Sequence, residues 1–205
     1  MEVLFATKNP AKVKKYKDGL EKKGIKLLTI NDVNVDINID ESGKDCIENA
    51  CLKAKAYYEA TGIVSIGMDN TLFIEGFPDD KQPGTHVRRV NGKELTDDEM
   101  IEYYSSLVKD AGGKVTAKWV YGMAVCGDNI YETYTWNKDE FYFVDEVSSI
   151  RNPGYPLDSM SIDKRVNKYF VELTDEDKEY IEKEKLKDGN KDSDVINFIV
   201  ESLKK

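Results

Sequence analysis

Apolar and polar residues recur along this chain with two different periods, and each change of period marks a predicted element. Val3-Leu4-Phe5 is a short apolar run, followed at Asn9-Pro10 by a helix start. Asn can cap a helix there, and Pro suits the first turn because its missing N–H would have no partner in any case. Val13, Tyr16 and Leu20 follow at helical spacing, Gly24 ends the helix, and Ile25 to Ile30 reads as a second strand. Together these form the β-α-β opening of an α/β protein. Residues 31 to 41 read as an exposed connection. From Ser42 to Ala60, the positions Ile47, Ala50, Ala54 and Tyr57 predict a helix with one buried face, closed by Gly62. Ile63 to Gly67 is then a buried strand, which puts Asp69 just beyond its C-terminal end, where α/β sheets place ligand-binding groups.

The pattern changes in the second half. Residues 75 to 93 carry Gly76, Pro78, Pro83, Gly84 and Gly92 and form a loop-rich excursion. Thr96-Asp97-Asp98-Glu99 is a capping box that opens a helix reaching about Lys109. Val115, Ala117, Trp119, Tyr121, Met123 and Val125 alternate along a strand. Gly127-Asp128-Asn129 turns it into a second strand, and Phe141 to Val147 makes a third. An antiparallel lobe, roughly 75–150, is expected beside the first sheet. Thr174-Asp175-Glu176-Asp177 opens a polar helix, Lys185 to Asp192 reads as a charged linker, and Val195, Ile196, Ile199 and Leu203 line a last amphipathic helix. The expected fold class is α/β: an elongated mixed β-sheet flanked by helices with an antiparallel lobe, in a single domain over 1–205 with a cleft between its lobes.

Composition narrows the function. With 205 residues, 40% apolar and 34% charged, the chain can bury one substantial core. No run approaches the roughly 20 apolar residues that cross a bilayer. Met1 leads straight into a strand without a signal-peptide pattern, so a cytoplasmic location and no membrane partner are expected. The net charge of −9, with no basic stripe, argues against a nucleic acid polymer as partner but leaves room for a small phosphate ligand in a local positive pocket. Cys46, Cys51 and Cys126 lack metal-ligand spacing and read as small core residues. His86 is the only histidine and, lying in a loop, reads as solvent-exposed.

Two constellations could carry chemistry. On the turn Thr7-Lys8-Asn9-Pro10-Ala11-Lys12 a hydroxyl, an amide and an ammonium converge near the N–H groups of a helix start, an arrangement that favours an anion. The turn lacks the glycine-rich loop of a Walker P-loop, and taken by itself it reads more readily as an ordinary cap with a surface lysine. The second constellation is acidic: Glu41, Glu48 and Asp69. Magnesium takes one or two carboxylates together with substrate phosphates, and a nearby carboxylate can accept a proton from water. Asp69 suits that base, whereas Glu41 and Glu48 are also ordinary helix-start acids.

The ordered segments Phe5 to Lys12, Glu41-Ser42-Gly43 leading to Glu48-Asn49-Ala50-Cys51-Leu52-Lys53-Ala54, Asp69-Asn70-Thr71-Leu72, and Pro83-Gly84 before Arg89 resemble the ITPase-like family of house-cleaning pyrophosphatases. The family typically hydrolyses inosine and xanthosine triphosphates to monophosphate and pyrophosphate. The resemblance implies that Thr7, Lys8, Asn9 and Lys12 hold phosphates, that Glu41 and Asp69 bind Mg2+, and that Asp69 also activates the attacking water. Lys53, Asn70 and Arg89 match further substrate-binding positions. Downstream, Asn152-Pro153-Gly154-Tyr155 and Glu172-Leu173-Thr174 before Lys178 resemble family segments more faintly, which adds Gly154, Tyr155 and Lys178. A homodimer is implied as well.

Three departures stand out. Met68 replaces an acidic residue beside Asp69, Pro153 replaces an aromatic expected against the base, and no Ser-His-Arg follows Lys178, leaving Tyr180 or Lys183 as stand-ins. The expected activity is therefore a Mg-dependent nucleoside triphosphate pyrophosphohydrolase. Its rivals are a hydrolase for a different modified nucleotide and a degenerate relative that binds nucleotide without cleaving it.

Overall fold

The computed structural model describes residues 1–35, 37–137, 139–187 and 191–205. In chain order the elements are β1 (Glu2–Phe5), α1 (Pro10–Glu21), β2 (Lys26–Thr29), α2 (Ile30–Val33), α3 (Cys46–Thr61), β3 (Ser65–Ile74), β4 (Arg89–Val90), β5 (Lys93–Glu94), α4 (Asp97–Asp110), β6 (Lys114–Cys126), β7 (Tyr131–Asn137), β8 (Phe141–Val144), β9 (Ser161–Asp163), β10 (Lys168–Tyr169), α5 (Asp175–Lys187) and α6 (Lys191–Ser202). The chain is an α/β protein with a mixed sheet and helices packed against it. It divides into two compact units: Met1–Asn70 with Val120–Trp136 and Asn190–Lys205, and Thr71–Trp119 with Asn137–Gly189. The long strands β3 and β6 contribute residues to both.

In the first unit β1 pairs in parallel with β2, Glu2 opposite Lys26, and with β3, Leu4 opposite Ser65. The central position of β1 explains its apolar run, since Val3, Leu4 and Phe5 are each 1% exposed or less. One core holds Tyr16 and Leu20 of α1, Ile66 and Met68 of β3, and Val195 and Ile199 of α6. A second holds Leu4, Ile30 and Tyr57. The helix α3 lies unusually close to its strands. A Cβ on Gly67 would stand 1.9 Å from the carbonyl oxygen of Ala50, and one on Gly122 would stand 2.7 Å from the backbone of Cys46. Only glycine permits that approach.

In the second unit β6 pairs antiparallel with β8, β8 with β9, and β9 with β10. Leu72, Ile74, Tyr104, Val108 and Phe143 form its core. Thr96 caps α4 as the sequence predicts, with Glu99 returning a bond to the Thr96 N–H.

Several boundaries differ from the sequence expectation. The helix expected from Ser42 begins at Cys46, because the Asp45 carboxylate accepts from the N–H groups of Ile47 and Glu48 and starts the helix there. The strand expected to end at Gly67 runs on to Ile74, so Asp69 lies within β3 and not beyond it. Polar Asp69-Asn70-Thr71 hid that continuation. Residues 31 to 33 belong to α2, and Val35, Ile37 and Ile39 pack on the second core, so this connection is partly buried. The strand expected to reach Val147 ends at Val144. Of the expected linker Lys185 to Asp192, the structure assigns residues up to Lys187 to α5 and from Lys191 to α6. Residues 188–190 lie outside the described residues.

Candidate active site

Strand alternation sorts the residues of β3 onto two faces. Ile66 and Met68 enter the core shared with α1 and α6, whereas Gly67 abuts the backbone of α3. Asp69 follows Gly67 onto the α3 face, and Asn70 follows Met68 onto the α1 face. Two polar arrangements meet at this pair of neighbours.

On the α1 face, the Asn9 side chain caps α1, its Oδ1 accepting from the Lys12 N–H at 3.4 Å. Thr7 Oγ1 in turn accepts from the Asn9 N–H at 3.1 Å, which fixes the turn. Lys12 Nζ donates to Asn70 Oδ1 at 3.3 Å. Thr7, Asn9, Lys12 and Asn70 are thus brought together, while Lys8 at the apex of the turn is exposed. Thr7 and Lys8 also border an open cavity of about 840 Å³, along with Val13, Lys14 and Lys17 of α1 and Asn31 of α2. Asp69, Glu41 and Lys53 do not line it.

On the α3 face, Lys53 Nζ reaches Glu41 Oε2 at 2.8 Å and Asp69 Oδ1 at 3.3 Å. Lys53 and Asp69 are 12% and 13% exposed along their side chains, Glu41 48%. The other oxygen of Asp69, Oδ2, accepts from Asn49 Nδ2 at 2.8 Å. Asn49 Oδ1 accepts from the Gly43 N–H at 2.8 Å. Glu48, the third acid considered in the sequence, is exposed and accepts from the Lys44 N–H. It fastens the chain just ahead of the Asp45 cap.

Asn49 and Gly43 are absent from the sequence expectation as site residues. A usable signal existed, because an amide at a position falling on the apolar face of a helix needs a buried partner. Met68 is 3% exposed and belongs to the hydrophobic core on the opposite face of β3 from Asp69.

The remaining candidates lie in the second unit. Arg89 is exposed on the two-residue β4, and its neighbour Arg88 makes the ion pair, 2.7 Å to Asp97. The Gly154 N–H donates to Asp97 Oδ2 at 2.8 Å, with Gly154 at φ 82°. This N–H first, and the Arg88 guanidinium after it, hold the Asp97 carboxyl below the usual range. Tyr155 is exposed, and Lys178 on α5 is exposed and paired with Asp175 at 3.3 Å. Tyr180 is exposed as well.

The Ham1 family model matches residues 3–184, nearly the whole chain up to α6. The chain belongs to the Ham1 family. The ITPase-like resemblance of its ordered motifs is thereby borne out. Its relatives include the dITP/XTP pyrophosphatase of Bacillus subtilis, 29% identical over 181 residues and covering 88% of this chain and 89% of the relative. The dITP/XTP pyrophosphatase of Leptospira interrogans is 29% identical over 178 residues, covering 86% and 88%. In fold, a HAM1 protein from Coxiella burnetii superposes with a TM-score of 0.73 at 22% identity, over 87% of this chain and 89% of that one.

Proposed function

We propose that this Ham1-family chain is a magnesium-dependent nucleoside triphosphate pyrophosphatase that cleaves inosine- and xanthosine-type triphosphates to monophosphate and pyrophosphate. The reaction class rests on the family and on relatives named dITP/XTP pyrophosphatase. One observation in the chain itself carries it furthest. Consecutive residues of β3 reach two groupings, Asp69 a carboxylate–lysine cluster and Asn70 the lysine of an anion-favouring turn.

The donor set can be tested against a divalent cation. Lys53 Nζ already touches Glu41 and Asp69 together, so the two carboxylates converge on a single positive centre. Among the described residues no group of three or more His, Cys, Asp or Glu is placed to hold a metal. Two carboxylates, with further oxygens from phosphate and water, match the way magnesium is usually held. Glu41 and Asp69 would hold the ion, which would neutralise charge on the triphosphate.

The residues divide the remaining work. Thr7, Asn9 and Lys12, with Lys8 beside them, grip phosphate through the ammonium and the N–H groups at the start of α1. Lys53 lies within reach of both carboxylates and supplies a second positive group for the phosphates. Asp69 accepts the proton as water adds to the α-phosphorus; the α–β anhydride bond breaks and pyrophosphate leaves. Arg89, Gly154, Tyr155 and Lys178 are carried as substrate-binding residues on the family resemblance. A cytoplasmic homodimer, working as one nucleotide pyrophosphatase domain, belongs to the same reading.

Purified protein with Mg2+ and a panel of ordinary and deaminated triphosphates tests this reading, with pyrophosphate and orthophosphate measured separately. The expected product is pyrophosphate, released fastest from inosine or xanthosine triphosphate. Asp69→Asn, an isosteric change, is expected to slow turnover by about 10²–10⁴-fold, the usual worth of a positioned base. Orthophosphate as the main product would overturn the proposal. Binding in calorimetry without cleavage would leave a nucleotide binder in its place.

A further inference from the structure

Asn is a poor residue for a helix interior, because its amide competes for nearby backbone groups. Asn49 nevertheless sits one turn into α3, 1% exposed, on the face shared with Cys46 and Ala50. A polar side chain buried so completely must find partners at both ends of its amide. It does: the Gly43 N–H can only donate, and the Asp69 carboxylate accepts, so the amide orientation is forced, with oxygen towards Gly43 and nitrogen towards Asp69.

This one side chain joins the two segments that carry the carboxylates. Asp69 Oδ2 is taken by Asn49, which leaves Oδ1 to face Lys53. The loop bearing Glu41 is fastened two residues on, at Gly43. Its fit there is tight, since a Cβ on Gly43 would come within 2.5 Å of Asn49 Oδ1 and 2.8 Å of the Asn49 backbone nitrogen. The buried Asn49, the glycine it requires and the orientation of Asp69 therefore form one linked arrangement.

We infer that Asn49 is a positioning residue for the reaction: it selects which oxygen of Asp69 is presented, and it sets the Glu41 loop in register with β3. The inference rests on the proposed pyrophosphatase function. Asn49 acts through Asp69 and Gly43 and is assigned no contact with substrate.

Two variants separate its two bonds. Asn49→Asp keeps an oxygen for the Gly43 N–H but loses the donor to Asp69, whereas Asn49→Leu loses both. The steady-state constants of each are measured with inosine triphosphate and Mg2+. Thermal midpoints and the hydrogen exchange of the Gly43 amide are measured in the metal-free, ligand-free protein. Loss of a group that orients a reacting carboxylate is expected to lower kcat by about 10–100-fold in both variants. KM is expected to stay within about threefold, since the grip on phosphate is untouched. The Gly43 amide is expected to exchange faster in Asn49→Leu and to stay protected in Asn49→Asp. If Asn49→Leu does not fold, Asn49→Asp carries the kinetic test.

A folded variant with wild-type kcat would overturn the inference, as would a loss confined to KM. Equal Gly43 protection in wild type and Asn49→Leu would overturn it as well. If the wild type itself releases no pyrophosphate, the proposed function fails on that ground alone, and Gly43 exchange still decides whether the bridge exists.

Discussion

At the scale of single residues, Lys53 ties two carboxylates from separate segments to one ammonium. It lies between Glu41 and Asp69, mostly shielded from water, and is the cation that the structure shows against both. Two carboxylates facing one site repel each other unless something positive lies between them. Lys53→Met keeps most of the length of the side chain and removes the charge. In metal-free buffer the variant is expected to lose up to about 3 kcal/mol of stability, because a largely buried partner is left uncompensated. Adding Mg2+ is expected to raise its melting temperature more than that of the wild type, since the ion takes over the role of the ammonium. Differential scanning calorimetry with and without the ion measures both. A deficit that Mg2+ leaves untouched would count against Glu41 and Asp69 as a joint cation seat.

Helix ends are the elements most readable in this sequence, and they are also where pH acts on it. The Glu99 carboxyl is held down to about 2, first by its hydrogen bond from Lys93 and then by the Thr96 N–H that completes the capping box. At the start of α5, Asp177 is likewise held to about 2, by Lys168 first and by Thr174. A carboxyl whose folded value is depressed adds stability above its ordinary value, 4.5 for Glu99, and that contribution fades as pH falls towards 2. The first turn of α4 is therefore expected to loosen between about pH 4.5 and 2. The Glu99 side chain is 37% exposed and its partner Lys93 65%, so added salt should weaken the effect. Amide exchange at Glu99, whose N–H binds Thr96 Oγ1, follows the change, and in Glu99→Gln this pH dependence should largely vanish. The capping signal was legible because Thr and Glu three residues apart act locally. The start of α3 was misplaced because Ser42 is as good a cap by residue type as Asp45, and only the folded loop decides between them. The far end of β3 was hidden for the opposite reason: Asn70 and Asp69 find their partners on α1 and α3, which only the fold brings to them.

At the scale of the molecule, the sequence conveyed the α/β class and the families of residues around Thr7, Glu41 and Asp69, because short ordered segments carry them. It did not convey Asn49, whose role depends on Gly67 and Gly122 letting α3 press onto two strands. Nor did it convey how the first unit closes. That unit is assembled from three separate stretches of chain, the last of which holds α6. The family match ends at residue 184, before α6 begins, yet Val195 and Ile199 are 0% and 1% exposed in the same core as Tyr16 and Leu20 of α1. A Cβ on Gly19 would stand 2.2 Å from Ile196 Cδ1, so α1 and α6 meet almost backbone to side chain. Ile199→Ala opens a cavity in that core and is expected to cost about 2–5 kcal/mol, whereas Asp194→Ala on the exposed side should change stability by less than about 0.5 kcal/mol. Urea unfolding measures both. Because α1 begins at the turn proposed to hold phosphate, a nucleotide that binds there and not to the unfolded chain should, at a hundred times its Kd, return about 2.7 kcal/mol to the variant. If Ile199→Ala is as stable as the wild type, α6 lies on the core without completing it.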